Sequence, residues 1–138
     1  MKKYETFSTT ADVGLRIRGS GYQDLYQSAV KGLKVLLFEE PPSAPSCQPC
    51  KYPFEFHGDS PENVLVNLLS EIVFLLQDKN KITIDIKIKK VNDTYLKADL
   101  LTIPANRQAE MEIKSVTYHN LKINRKNHML STEVIFDI

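Results

Sequence analysis

The chain has 138 residues, 42% of them hydrophobic, which is enough apolar material for one core but not for two. Eighteen Lys and Arg against seventeen Asp and Glu leave a net charge of +1, which argues against a strongly basic nucleic-acid surface and predicts no direct stable nucleic-acid binding. The longest apolar runs, such as Ile72-Val73-Phe74-Leu75-Leu76, fall far short of the roughly 20 residues of a membrane-spanning helix, and no apolar stretch follows Met1-Lys2-Lys3 as a signal peptide requires. The expectation is a cytoplasmic protein with no membrane association.

In chain order, Val13, Leu15 and Ile17 alternate with Gly14, Arg16 and Arg18, the period of a half-buried strand, which ends at Gly19-Ser20-Gly21. From Tyr22 the apolar residues fall at Leu25, Tyr26, Ala29, Val30, Leu33, Leu36 and Leu37, one buried helical stripe, stopped by Glu39-Glu40-Pro41-Pro42. Residues 41–50 hold four prolines, Pro41, Pro42, Pro45 and Pro49, and 41–51 reads as a loop. Within it Cys47 and Cys50 form a C-x-x-C pair. No second pair completes a zinc ribbon, and no helix follows to lower a thiol pKa, so both read as reduced thiols in a loop.

Tyr52, Phe54 and Phe56 alternate as a short strand, which Pro53 confines to an edge or a late start. A second helix follows: Ser60 can cap it, Pro61 suits its first turn, Glu62 complements the dipole, and Leu65, Leu68, Leu69, Ile72, Leu75 and Leu76 supply the apolar face up to Asp78-Lys79-Asn80. Ile82, Ile84, Ile86 and Ile88 alternate with Thr83, Asp85, Lys87 and Lys89 as a strand buried on one side, and Asn92-Asp93 turns it into a second strand over 95–103. Residues 111–123 carry a further extended signal. A turn at 124–127 leads into a last strand over 129–138, in which Leu130, Thr132, Val134, Phe136 and Ile138 share a face. The fold class is α+β: a mainly antiparallel sheet covered by two helices in a single domain spanning 1–138.

The usual catalytic signatures are absent, including the phosphate-binding loop, the dinucleotide fingerprint, the serine elbow and the H-E-x-x-H zinc motif. With five glycines no glycine-rich loop can be assembled. His57, His119 and His128 fall on separate strands or their ends and read as ordinary surface residues. Two features remain. Thr9-Thr10-Ala11-Asp12 leads to a carboxylate just before an apolar strand, where Asp12 also suits a turn. At the other end, the last strand runs apolar to its final residue, so Asp137 and the α-carboxylate of Ile138 place two anionic groups one residue apart. That juxtaposition is unfavourable unless a cation neutralises it, and a third carboxylate from elsewhere would complete a hard-oxygen site for Ca²⁺ or Mg²⁺. Spacing does not say which carboxylate that is.

The sequence resembles the archease family, the small accessory proteins of the RtcB-type tRNA-splicing RNA ligase. Phe7-Ser8-Thr9-Thr10-Ala11-Asp12-Val13-Gly14 is similar to the family's opening F-x-H-T-A-D-[VI]-G, and Leu65–Leu76, with Glu71 inside it, to its second-helix pattern. Lys114-Ser115-Val116-Thr117-Tyr118-His119 resembles K-A-[VI]-T-Y-H, and Val134-Ile135-Phe136-Asp137-Ile138 resembles the terminal V-[VI]-F-D-[IVL]. Thr9 stands where the family pattern has histidine. Leu100–Gln108 is short and lacks the G-E pair and histidine that usually precede the lysine motif.

The resemblance implies a metal site formed by Asp12, Asp137 and the α-carboxylate of Ile138, holding a divalent cation, Ca²⁺ before Mg²⁺. It implies a protein that is not itself an enzyme but promotes guanylylation, from GTP, of the ligase's histidine and so sustains multiple turnover. Lys114, Glu71 and His119 are then the expected contacts to the ligase or its guanylate. Two other functions compete: a stand-alone metal-dependent hydrolase built on the same carboxylates, and a chaperone-like binding module without a ligase role.

Overall fold

The computed structural model describes residues 3–9, 12–38, 48–106 and 108–138. Thr10 and Ala11 of the first motif, the helix stop at 39–42, Pro45 and Cys47 lie outside the described residues. The elements are β1 (Tyr4–Ser8), β2 (Val13–Gly19), α1 (Tyr22–Phe38), β3 (Cys50–His57), α2 (Pro61–Lys79), β4 (Lys81–Val91), β5 (Tyr95–Pro104), β6 (Ser115–Thr117), β7 (Asn124–Lys126) and β8 (Met129–Asp137).

The strands form two antiparallel sheets rather than the single one the sequence predicts. The first has the order β1-β2-β8-β6, with β7 also paired to β8, and the second is β3-β5-β4. Alternating burial tells which side of a strand is apolar but not which sheet it joins. Here β2 pairs with β8, more than a hundred residues away, with Val13 opposite Phe136 and Gly19 opposite Leu130. Both helices lie against both sheets: α1 packs on β1, β2 and β4, and α2 on β3, β4, β5 and β6. The result is one continuous apolar core, from Leu15 and Phe136 on the first sheet through Leu33 and Leu65 on the helices to Leu96 and Leu100 on the second.

Local chemistry accounts for most boundaries. The Ser60 hydroxyl accepts the Asn63 N–H at 3.1 Å with Pro61 in the first turn, and Asn80, at φ 53°, closes α2 by donating its N–H to the Leu75 carbonyl. Asn127 and His128 both have positive φ, the backbone of a two-residue hairpin whose twist matches its strands, so His128 is a turn residue between β7 and β8. Pro53 lies on an edge strand, as required of a residue with no N–H to donate.

Three boundaries correct the sequence reading. The loop assigned to 41–51 ends earlier, because Cys50 and Lys51 already pair with Thr102 and Leu101 in β3; Cys50 is an exposed free thiol. Tyr4–Ser8, unread from the sequence, is an edge strand in which only Tyr4 and Phe7 are partly buried, too few for a visible alternation. The extended signal over 111–123 yields only Ser115–Thr117. One edge of β8 takes β6 along 135–137 and β7 along 129–131, and the chain between them must turn at Tyr118–Leu121 to pass from one to the other.

Candidate functional site

At the join of β1 and β2 the Thr9 N–H donates to the Asp12 carbonyl at 2.8 Å, and the Thr9 hydroxyl accepts the Asp12 N–H at 3.1 Å. Thr9, at the position of the family's histidine, therefore fixes the backbone from which Asp12 projects. A hydroxyl residue three positions before the aspartate is the signal that identifies this turn, and the sequence reading did not use it.

Asp12 directly precedes Val13, whose partner on β8 is Phe136, so Asp12 and Asp137 each adjoin the last pair of this ladder. Val13, Leu15 and Ile17 face the core, as do Leu130, Thr132, Val134 and Phe136. By the period of two, Asp12 and Asp137 lie on the outer face of the first sheet. Among the described residues no ion pair reaches either carboxylate. Ile138 follows Asp137 in the chain and is 45% exposed.

On the other side of β8, Ser115 is the partner of Asp137, and the Lys114 N–H donates to the Asp137 carbonyl at 2.7 Å. Two motifs distant in the sequence, the first and the lysine motif, thus flank the same terminal residues. The other two expected contact residues are not brought there. The Glu71 carboxylate accepts the Tyr52 phenol at 2.9 Å on the side of α2 that meets the second sheet, and this bond raises the phenol's pKa. His119 lies in the turn after β6, beyond the strand whose Ser115 pairs with Asp137. Its Nε2 lies 3.3 Å from the Asn120 amide nitrogen.

Carboxylate oxygens on a solvent-facing sheet end are hard ligands, suited to Ca²⁺ or Mg²⁺ and not to metals that select thiolate. Among the described residues no three His, Cys, Asp or Glu side chains gather as a metal site. No helix of the described residues is long and apolar enough to cross a membrane.

Residues 4–138 match the archease protein family (MTH1598/TM1083). Curated relatives include the archease of Pyrococcus abyssi, 28% identical with 91% of this chain and 90% of that protein covered. The archease of Thermoplasma volcanium is 25% identical, with 98% of both chains covered. Among solved structures, protein 1598 of Methanobacterium thermoautotrophicum superposes with a TM-score of 0.71 at 20% identity over the full length of both chains. An archease of Thermotoga maritima, described as a possible chaperone, gives 0.65 at 19% identity, covering 97% of this chain and 96% of that one. These two likenesses establish the fold.

Proposed function

The chain belongs to the archease protein family, and from that premise we propose that it is a non-catalytic activator of an RtcB-type tRNA-splicing RNA ligase, acting in the cytoplasm through a divalent-cation site at Asp12, Asp137 and the Ile138 α-carboxylate. The observation that supports this reading is the pairing of Val13 with Phe136, next to Asp12 and Asp137 in the chain, with no ion pair to either carboxylate among the described residues. Two carboxylates so placed favour a divalent ion, Ca²⁺ before Mg²⁺, because a flexible oxygen set on a sheet end suits the larger ion's looser geometry. When bound, the ion supplies positive charge for a phosphate oxygen.

The chain's own residues do the rest. Thr9 holds the Asp12 backbone, β6 holds β8 through the Ser115–Asp137 pair, and the Lys114 main chain ties the lysine motif to the same end. Lys114 is exposed, so its ammonium is available to the guanylate or GTP phosphates of a docked ligase. Glu71 and His119, being elsewhere, serve as outlying contacts to the ligase surface.

The test is paired. Asp12→Asn and Asp137→Asn should each weaken Ca²⁺ binding by calorimetry at least ten-fold and abolish stimulation of ligase guanylylation in a reconstituted assay with GTP, while circular dichroism shows the fold retained. A one-residue extension after Ile138 should weaken binding similarly while leaving every side chain in place. If both Asn variants stimulate the ligase as well as the parent does, the metal-site role is wrong.

A further inference from the structure

Phe7 and Gly14, the first and last residues of the opening motif, meet in the fold, and the geometry points to the Phe7 ring as a positioning residue for the Asp12 carboxylate. This rests on the cation site proposed above and deepens it. Phe7 is the partner of Gly14 across β1 and β2, and by the period of two both face outward, on the same side of the first sheet as Asp12. A Cβ on Gly14 would lie 2.1 Å from the Phe7 Cζ and 2.5 and 2.8 Å from its two Cε atoms, so the tip of the ring takes the space of a side chain there. Gly14 has no positive φ, so the backbone does not demand glycine and the ring does. Although it belongs to the outer face, Gly14 is buried beneath that ring.

Arg16, the next outward residue of β2, closes over the ring with its guanidinium carbon 4.4 Å from the centroid, a cation–π contact. It is held there by hydrogen bonds to Glu133 on β8 at 2.9 Å and to Glu5 on β1 at 3.1 Å. The ring is thus gripped between the Gly14 backbone and a side chain tied to the strands on either side. Its place in the chain gives the grip a consequence. β1 is an edge strand whose partner is β2, and only Tyr4 and Phe7 on it are partly buried. Tyr4 anchors the start of β1 against α1, where its Cβ lies 3.0 Å from the position a Cβ on Gly32 would take. Phe7 anchors the other end, one pair before Ser8 and Val13. Directly beyond that pair, the Thr9 N–H donates to the Asp12 carbonyl at 2.8 Å and the Asp12 N–H to the Thr9 hydroxyl at 3.1 Å. Strand ends fray unless side chains tie them down. With the ring gone, Thr9 lifts more often from Asp12, and a carboxylate that must be ordered on binding holds its cation less tightly than one already in place.

The test on the whole chain pairs Ca²⁺ calorimetry with NMR-detected hydrogen exchange of the Thr9 amide. Phe7→Leu keeps apolar bulk but loses the ring. It should weaken Ca²⁺ binding about ten-fold and speed Thr9 exchange about ten-fold, while the β8 amides paired to β2 keep their protection. Phe7→Tyr, which retains the ring, should restore both readings to those of the parent. Gly14→Ala puts a methyl group in the ring's seat and should reproduce Phe7→Leu. The double variant should then be no worse than either single one, because both substitutions break the same contact. Parent-like Ca²⁺ affinity or parent-like Thr9 exchange in Phe7→Leu would overturn the positioning role. So would additive losses in the double variant, or a loss that Phe7→Tyr does not repair. A parent chain that binds no Ca²⁺ would instead sink the cation site, and Thr9 exchange would still decide whether the ring holds the Asp12 turn.

Discussion

Asp24 shows how one side chain sets the start of an element. It occupies the first turn of α1, and one carboxylate oxygen accepts the Lys3 ammonium, the Ser20 N–H at 2.9 Å and the Ser20 hydroxyl at 3.2 Å. The Lys3 bond, followed by the Ser20 N–H, holds its carboxyl below the ordinary 3.8. A depressed carboxylate pKa adds stability above the unfolded value, and that increment is lost as pH falls through the folded one. The side chain keeps 23% of its surface exposed, so water screens part of the effect. Asp24→Asn keeps an acceptor for Ser20 but removes the charge, and should cost about 0.5 kcal/mol at neutral pH. Urea unfolding should show this gap closing as pH falls below 3.8, and a gap that persists there would assign the cost to geometry.

At the scale of elements, two glycines two residues apart should respond with opposite signs. A Cβ on Gly19 would meet the Leu25 backbone nitrogen at 2.4 Å, where β2 runs against the first turn of α1. Gly21, at the entry to the helix, has nothing within 4 Å of that position and no positive φ. Gly19→Ala should cost about 1–3 kcal/mol by overpacking against backbone that cannot yield, and Gly21→Ala should stabilise by about 0.5 kcal/mol by narrowing the unfolded ensemble. Thermal unfolding of the two variants reads the signs directly.

The same junction marks what the sequence makes legible. Both helices, the caps at Ser60 and Asn80 and the β4–β5 hairpin rest on local chemistry and spacing, and they stand as read. β1, the short β6 and the separation into two sheets depend on which distant strand supplies a hydrogen-bonding edge, which periodicity does not carry. In β4 the register shifts between Thr83 and Asp85 and between Ile88 and Lys90. The second shift sets Lys90 opposite Lys97, on the outer face with Lys87, where strict alternation would point it inward. At the candidate site, spacing exposed the pairing of Asp137 with the Ile138 carboxylate, and only resemblance named Asp12. The β2–β8 ladder brings the residues next to both to one sheet end through the pairing of Val13 with Phe136, positions far apart in the chain that no local pattern links.

For the whole molecule, the placement of the helices decides how it unfolds. The two sheets share no strand, and each meets the other through α1 and α2. Leu33, fully buried on α1, belongs to the core that both sheets line. Leu33→Ala removes apolar contact and leaves a cavity, a change that costs about 2–5 kcal/mol in buried sites. If the helices join the sheets into one cooperative unit, that cost is felt equally at both. Native-state hydrogen exchange should then show the slowest amides of β2 and β8 and those of β4 and β5 losing the same free energy of protection in the variant. A loss confined to one sheet would mean that the sheets open separately. It would also mean that the outer face of the first sheet, with its carboxylate end, is stabilised independently of the second.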